Sequence, residues 1–272
     1  TLAGKNSIGG AVKLYSRRPT GEGGSISATY GSRNRAELRA SGDFAMAENL
    51  FARLSGVSKR QTGPVKRLDY GCLNPTSGVP NLESVGQDCQ VGTMGDVNYT
   101  ALRAQMLWVP TDALEINAAM DFTDDERSPA GSVLVQTVST VNPNVQPVQG
   151  VTNLSIAAFV PPAGSFYNYA SFYNPPGTFV RLVPPNLGAT TPMLETRPPI
   201  EVKFTGWGGS LNVDWRLSER LSLKSISGYR EYDSFFSNDN ELSPLASSLG
   251  FGDLTFHSFS QELRLNGAAF TD

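Results

Sequence analysis

The chain has 272 residues and a formal net charge of −3, and 17% of its residues are charged while 39% are hydrophobic. This balance excludes a disordered polyelectrolyte and a strongly basic nucleic-acid-binding protein, so we expect no nucleic-acid partner. No apolar run approaches the roughly 18 residues of a membrane-spanning helix, which excludes a helical membrane protein. The 27 glycines and 18 prolines favour many short strands over long helices.

Patterns that would indicate catalysis or metal binding are missing from the sequence. One histidine and two cysteines are too few for a Cys/His zinc site or a histidine-based triad. The acidic run of Asp121, Asp124, Asp125 and Glu126 lacks the spacing of a calcium-binding EF-hand loop. No predicted helix follows the glycine-rich segment 206–209, so it is predicted to be a strand bend or bulge, not a phosphate-binding loop. We therefore expect no enzyme, no catalytic residue, no metal site and no cofactor.

The dominant hydrophobic period along the chain is two. Between residues 114 and 123 the even positions, such as Leu114, Ile116 and Met120, are apolar, and most odd positions are polar. A strand sends alternate side chains to opposite faces, whereas a helix would mix the two sets. Eight segments are predicted as strands on this pattern: 25–31, 35–46, 50–60, 97–109, 114–123, 205–217, 221–235 and 255–267.

The predicted strands are long for a soluble domain. Several exceed the usual ~5 to 6 residues and match the ~9 to 11 residues with which a tilted strand crosses a bilayer. Trp108 and Trp215 lie at the ends of two of them, where the interfacial aromatic girdle of a membrane barrel is found. The alternative is that both tryptophans belong to the core of an ordinary β-sandwich.

Short and long connections between the predicted strands alternate. Connections 47–49, 110–113 and 218–220 are short, whereas 61–95, 126–200 and 239–254 are long. Outer-membrane barrels have this asymmetry because periplasmic turns are short and external loops are long. The hairpin at 32–34 is the exception, because it is short where a long loop is expected.

The long connection 126–200 contains 12 of the 18 prolines and therefore cannot be barrel wall. Its aromatic residues in a polar setting suggest a surface that clamps a ligand, although the rings could equally pack the loop against itself. The candidate ligand-binding residues are Phe166, Tyr167, Tyr169, Phe172, Tyr173 and Arg181.

Cys72 and Cys89 lie in the other long connection and are predicted to form a disulfide bond. Such a bond requires an oxidising compartment, which an external loop of an outer-membrane protein would provide. Closing this loop would restrict the unfolded chain by about 3 kcal/mol. The alternative is two free thiols in a cytosolic protein.

The opening residues carry a specific family resemblance. Residues 4–11 read Gly-Lys-Asn-Ser-Ile-Gly-Gly-Ala and are followed by Arg-Arg-Pro at 17–19. This run resembles the end of the plug domain of TonB-dependent outer-membrane receptors, with Lys5 where arginine is more usual. Segment 28–43 is similar to the first barrel hairpin of that family, and segment 260–265 is similar to a later barrel strand.

The resemblance implies an all-β fold, in which an N-terminal plug fills a transmembrane antiparallel barrel of 22 strands. Residues 1–20 would be the end of the plug, and residues 21–272 would supply about eight barrel strands with long extracellular loops at 61–95 and 126–200. The chain starts at Thr1 without a methionine and stops at Asp272 directly after a strand-like segment, so we interpret it as a fragment.

The resemblance also implies a function and partners. The protein would take up a scarce nutrient, expected to be a ferric siderophore, across the outer membrane of a Gram-negative bacterium. Its partners would be membrane lipid, the small-molecule ligand, and TonB with its proton-driven inner-membrane complex, which binds a motif outside this sequence. Uptake of carbohydrate or cobalamin, a passive porin, and a secreted β-rich adhesin are the alternatives.

Charged residues on the polar side of the predicted strands suit a hydrated barrel interior, since each charge facing lipid would cost about 2 to 4 kcal/mol near the midplane. Their alternative is the solvated face of an ordinary antiparallel sheet. The residues expected to face the lumen are Arg39, Asp43, Arg53, Arg103, Asp121, Asp214, Arg216, Glu262 and Arg264.

Overall fold

The computed structural model describes residues 16–77, 79, 81, 88–136, 159–170, 179–181, 193–195, 200–240, 242–244 and 249–267. Eight long strands form one antiparallel sheet in the order β1-β2-β3-β6-β7-β11-β12-β13. They are β1 Gly24–Gly31, β2 Arg35–Ala47, β3 Leu50–Gln61, β6 Val97–Thr111, β7 Leu114–Arg127, β11 Val202–Ser218, β12 Leu221–Asp239 and β13 Leu249–Gly267. In the described chain no helix is long and apolar enough to cross a membrane.

Each of the eight predicted strands coincides with one strand of this sheet, which confirms the all-β, antiparallel prediction. The predicted ends are less accurate. The connection expected at 239–254 is wrong, because β12 and β13 remain paired from Ser234↔Leu254 to Asp239↔Leu249 and leave only residues 240–248 between them. Backbone hydrogen bonds can continue where side chains no longer alternate, so the pattern underestimates the strand length.

The three short connections lie at one end of the sheet. Residues 48–49, 112–113 and 219–220 join antiparallel neighbours there, and the long connections leave from the opposite end. The short hairpin 32–34 also lies at that opposite end, where Arg33 and Asn34 have φ of 57° and 53°. Non-glycine residues adopt this left-handed conformation mainly in tight hairpin turns.

The long connections are partly folded. Strands β4 (Val65–Leu68), β5 (Gln90–Met94) and β8 (Tyr167–Tyr169) form a three-stranded sheet, in which β4 pairs parallel with β8. A short helix, α1 (Tyr70–Leu73), follows β4. We call these four elements the loop module. Two further strands, β9 (Phe179–Arg181) and β10 (Met193–Glu195), form a separate hairpin.

The loop module has a hydrophobic core like that of a soluble protein. Tyr70, Val79, Phe159 and Tyr169 are buried together. The Tyr70 ring meets the rings of Phe159 and Tyr169 edge to face, at centroid distances of 4.9 and 5.0 Å. Such edge-to-face aromatic pairs add about 0.5 to 1.5 kcal/mol beyond the burial of their area.

A disulfide bond between Cys72 and Cys89 joins α1 to the residue before β5, with a Cα–Cα distance of 5.7 Å. The side chain of Asp69 accepts a hydrogen bond from the Cys72 backbone N–H at 3.3 Å and caps α1. Arg67 of β4 lies 3.9 Å from the carboxylate of Asp239 at the end of β12. The loop module is therefore cross-linked internally and contacts the main sheet through an ion pair.

Loss of the disulfide bond should loosen the loop module and leave the main sheet intact. In a Cys72→Ser/Cys89→Ser double variant we expect a local loss of about 3 kcal/mol. Hydrogen exchange should become faster in segments 65–73 and 90–94 and remain unchanged in β6 and β7. Equal acceleration in both regions would contradict the independence of the two parts.

Candidate functional site

The register of the sheet assigns every side chain to a face, because directly paired residues project to the same side. One row of partners runs from Ser55 through Arg103, Asp121 and Gly208 to Arg230. We call the side that carries this row the polar face. All nine residues that the sequence analysis expected to face a lumen lie on it: Arg39, Asp43, Arg53, Arg103, Asp121, Asp214, Arg216, Glu262 and Arg264.

Asp121 is the centre of an ion-pair cluster on the polar face. Its Oδ1 accepts from Arg103 Nη1 at 3.2 Å, and its Oδ2 accepts from Arg230 Nη1 at 2.7 Å. Arg230 Nη2 also donates to Oδ1 at 3.2 Å, so this guanidinium binds the carboxylate in a bidentate manner. One carboxylate on β7 thus holds arginines from β6 and β12.

Gly208 makes the contact between Asp121 and Arg230 possible. It is the register partner of both residues and lies between them on β11. A Cβ atom on Gly208 would approach the Arg230 guanidinium to 2.8 Å, so only glycine lets Arg230 cross the strand. The bend or bulge predicted at 206–209 is wrong, since β11 stays in register with both neighbours there. Gly206 and Gly208 provide space for the side chains of Tyr232 and Arg230 on β12.

The other charges of the polar face are also paired. Asp43 is buried and ion-paired with Arg53, and its Oδ1 accepts from the Thr20 backbone N–H at 3.1 Å. Asp214 accepts from Lys224 Nζ at 2.8 and 2.9 Å. The remaining predicted residues have partners on the same or a neighbouring strand: Arg39 with Glu37, Glu262 with Arg264, and Arg216 with the Asp112 carbonyl oxygen at 3.2 Å.

The sequence analysis missed three partners on the polar face. Glu37 is contacted by Arg35 at 3.2 Å and Lys59 at 3.8 Å as well as by Arg39. Glu37 could have been found from its alternation with the two arginines of its own strand. Lys224 and Arg230 could not have been found in this way, because β12 carries polar residues on both faces. Its alternation therefore does not show which face either residue occupies.

The acidic run at the end of β7 does not converge on one point. Asp121 and Asp125 lie on the polar face, whereas Asp124 and Glu126 project to the other side. Asp124 accepts from the Thr205 hydroxyl at 3.0 Å. Within the part of the chain that the structure describes, no three His, Cys, Asp or Glu side chains are grouped as metal ligands.

The opposite side of the main sheet, which we call the apolar face, exposes large hydrophobic side chains. Ile26 is 77% exposed and Phe259 is 70% exposed. Across the described residues no second layer packs on this face, so it is not the inner surface of a sandwich. Sixteen of the exposed apolar residues of this face are Ile26, Tyr30, Leu38, Phe44, Leu54, Leu102, Met106, Trp108, Met120, Phe122, Trp207, Leu211, Trp215, Phe259, Leu263 and Leu265. Leu221 and, beyond Phe259 on β13, Phe251 are exposed on this face as well.

Exposure on this scale is incompatible with water as the solvent of the apolar face. Burying a large apolar side chain is worth about 1.5 to 3 kcal/mol, so sixteen unburied ones forgo a large stabilisation. A soluble protein rarely shows a contiguous apolar patch of more than a few hundred Å². The apolar face therefore requires either hydrocarbon or another protein surface.

The margin of the apolar face towards the long connections crosses the sheet obliquely. It lies at Tyr30 on β1 and Trp207 on β11, and it reaches Phe259 on β13. The register row of Phe259 crosses β1 at Gly24, six residues before Tyr30. With a rise of about 3.3 Å per residue and about 4.8 Å between strands, the margin is inclined by about 30° to the rows.

This inclination has a simple physical meaning. If the apolar margin is parallel to a membrane plane, the strands are tilted by about 30° from the membrane normal, close to the 35–45° of outer-membrane barrels. Phe122, Trp207, Tyr229 and Phe259 follow this margin on the successive strands β7, β11, β12 and β13, and Tyr30 lies at it on β1. An amphipathic aromatic ring is favoured at such an interface.

Trp108 and Trp215 lie near the other margin, beside the short turns. Both project from the apolar face, and they are 40% and 46% exposed. This placement contradicts a sandwich-core role and matches the position that the girdle interpretation requires.

The aromatic candidates of the long connection occupy different environments. Phe166 is 69% exposed, whereas Tyr169 is buried in the core of the loop module. The ring of Tyr167 packs against the ring of Tyr169, with 5.6 Å between the ring centroids. Burial raises the pKa of the Tyr169 hydroxyl, and the hydrogen bond that it shares with Tyr167 adds to the shift. For these two tyrosines the structure favours the loop-packing alternative. Phe172 and Tyr173 lie outside the described residues, as does the side chain of Arg181.

A second aromatic group lies on the polar face, near the long connections. Tyr232 stacks on Phe256 at a ring distance of 5.0 Å and meets Phe204 at 5.3 Å. The sequence analysis did not single out these rings, because they come from three different strands.

Comparisons with known proteins identify no family. No protein-family model matches the chain, and no curated protein matches it. A solved structure of a mutant ferric enterobactin receptor (PfeA) from Pseudomonas aeruginosa aligns with a TM-score of 0.43 and 10% sequence identity. The alignment covers 90% of this chain and 28% of that receptor, so the chain spans just over a quarter of the receptor's length.

The role of Gly208 can be tested against its neighbour Gly209, which projects to the apolar face. Gly208→Ala should displace Arg230 from Asp121 and cost about 1 to 3 kcal/mol, as overpacking does. Gly209→Ala should change stability by less than about 0.5 kcal/mol, because the nearest atom to its new Cβ would be 3.6 Å away.

The measurement is the unfolding midpoint of each variant in detergent. In a double-mutant cycle, the cost of Gly208→Ala should fall in an Arg230→Ala background, and the remaining cost should come from the Tyr229 carbonyl oxygen, which would lie 2.9 Å from the new Cβ. If Gly208→Ala and Gly209→Ala lowered the stability equally, the passage of the Arg230 side chain over β11 would not contribute to stability.

Proposed function

We propose that the chain is part of the wall of a transmembrane β-barrel in an outer-membrane receptor that imports a scarce nutrient. The single observation that carries this proposal is the division of one sheet into a continuous exposed apolar face and an ion-paired polar face. Hydrocarbon suits the first face, and a hydrated interior suits the second. The transport activity and partners of the whole protein belong to this proposal.

The edges of the sheet support a closed wall. Among the described strands, β1 and β13 each have one neighbour, and each therefore presents an unpaired row of backbone groups. In a bilayer each unpaired group costs several kcal/mol, so strands that span a membrane must close into a barrel. Additional strands between β1 and β13 would provide that closure.

The connections suggest the orientation of this wall. The two-residue turns suit the periplasmic side, and the loop module suits the exterior. The disulfide bond between Cys72 and Cys89 is compatible with an oxidising location. The aromatic group of Phe204, Tyr232 and Phe256 would then lie on the inner side, close to the external entrance.

Energy coupling through TonB is supported by the plug-like run at residues 4–19. Residues 1–15 lie outside the described residues, so this support comes from the sequence resemblance. In the proposed mechanism the ligand binds at external loops and plug, and TonB pulls on the plug to open a path along the polar face. The paired charges of that face would keep the path hydrated. No covalent chemistry takes place.

The proposed cargo is a ferric siderophore, with a carbohydrate or cobalamin as the alternatives. A groove of about 510 Å³ on the polar face offers mixed contacts to an oxygen-rich ligand. Arginine and hydroxyl groups line it together: Ser25, Ser27, Arg39, Ser41, Ser55, Tyr99, Arg103 and Thr123.

Two adjacent alanines test which face meets lipid. Ala118 projects to the apolar face, and Ala119 projects to the polar face. Ala118→Arg should destabilise the membrane-inserted state by about 2 to 4 kcal/mol, and Ala119→Arg should be tolerated. The measurement is the fraction of the whole receptor, including the strands that close its barrel, that inserts into phosphatidylcholine vesicles. Equal insertion of the two variants would contradict the assignment of the faces.

Uptake assays test the cargo and the energy source. A strain that lacks this protein should lose uptake of a ferric chelate, and a strain that lacks TonB should lose it equally. Unchanged uptake of every ferric chelate would exclude the siderophore, and oligosaccharide or cobalamin uptake would then be tested. Uptake that persists without TonB would indicate a passive porin.

A further inference from the structure

The apolar face contains a groove that the proposed function does not use. Its volume is about 940 Å³ and its lining is almost entirely apolar. Small residues of β2, β3 and β6 form the floor, namely Ala40, Gly42, Gly56 and Ala104, and larger side chains form the walls. The wall residues are Ile26, Phe44, Leu54, Leu102, Met120 and Phe122.

The groove differs from the surface around it. The outside of a barrel is convex, so a groove on it must come from small side chains. Ala40 pairs with Gly56 in one row, and Gly42 and Ala104 flank Leu54 in the next row. Gly56 brings the floor close to Leu102, since a Cβ on Gly56 would lie 3.0 Å from the Leu102 side chain.

Two arginines lie beyond the end of the groove that points to the long connections, and Arg60 is four residues past the lining residue Gly56 on β3. Arg60 projects from the apolar face of β3, and Arg33 lies in the turn after β1. Both side chains are exposed. Over the described stretches of the chain, neither takes part in an ion pair with an acidic side chain.

The distance between the groove and these charges matches one membrane leaflet. From Leu54 in the wall to Arg60 is six residues along β3, or about 20 Å at a rise of about 3.3 Å per residue. The tilt of about 30° reduces the height to about 17 Å, close to half of the roughly 30 Å hydrocarbon core. A lipid whose chain lies in the groove would place its phosphate beside the arginines.

We infer that the groove binds a phosphate-bearing membrane lipid, with an acyl chain against the small-residue floor and the phosphate at Arg60 and Arg33. The inference rests on the proposed function, because it requires the apolar face to meet lipid. It adds a specific lipid site to a surface that otherwise contacts lipid without preference. The apolar lining and the unpaired cations complement the two parts of such a lipid.

The experiment uses native mass spectrometry of the purified whole receptor, which contains this chain and the strands that close its barrel, in nonionic detergent. The probes are dioleoyl phosphatidylglycerol and dioleoyl phosphatidylcholine in equal amounts, which differ in headgroup and net charge. The unmodified receptor should retain one phosphatidylglycerol in preference. Ala104→Phe, which fills the floor, should lower retention of both lipids about tenfold, as expected for displacement of about two methylenes.

The controls separate the groove from general lipid contact. Ala118→Phe adds the same ring to the apolar face outside the groove and should leave retention unchanged. Arg60→Gln should reduce the preference for phosphatidylglycerol about fivefold, whereas Arg220→Gln, in a turn at the opposite end, should not.

Equal retention by Ala104→Phe and Ala118→Phe, or a dimer mass without lipid, would overturn the lipid site. Insertion into phosphatidylcholine vesicles is measured in parallel. A whole receptor that inserts but shows no preferred lipid would refute only this inference. A whole receptor that does not insert at all would refute the proposed function.

Discussion

Side chains of paired residues leave an antiparallel sheet on the same side, and this constraint governs the molecule. Because the eight strands are paired side by side, the residues of one register row all project to the same face. The residues of one row therefore need the same environment. Here the rows alternate between ion-paired polar residues and exposed apolar ones. The sheet therefore requires two solvents, one on each face, and the proposed location in a membrane follows from this requirement.

The charged side chains of the polar face find their partners within the main sheet itself. Asp121 binds two arginines, and Asp43, Asp214 and Glu262 each have a cationic partner. Because these charges are paired with one another, the wall remains electrostatically satisfied whether or not a ligand lies beside it. Gly208 shows that this pairing extends across strands and that a missing side chain can be as important as a charge.

The loop module is stabilised differently from the wall. It has a buried aromatic core and a disulfide bond, as a small protein in water does. The main sheet has no comparable apolar core in the described residues and depends on pairing between strands and on its surroundings. The chain thus combines two folding environments, with the ion pair of Arg67 and Asp239 at their junction.

The sequence alone determined the eight strands, the side on which the short turns lie, and the common face of the nine charged residues. These features depend on a period of two, which is local and can be read along a single strand. Tertiary structure decided the remainder. The parallel pairing of β4 with β8, the passage of Arg230 over Gly208, and the extension of β12 to Asp239 depend on partners that are distant in sequence. The oblique margin of the apolar face likewise exists only after the strands are placed in register, because no single strand contains it.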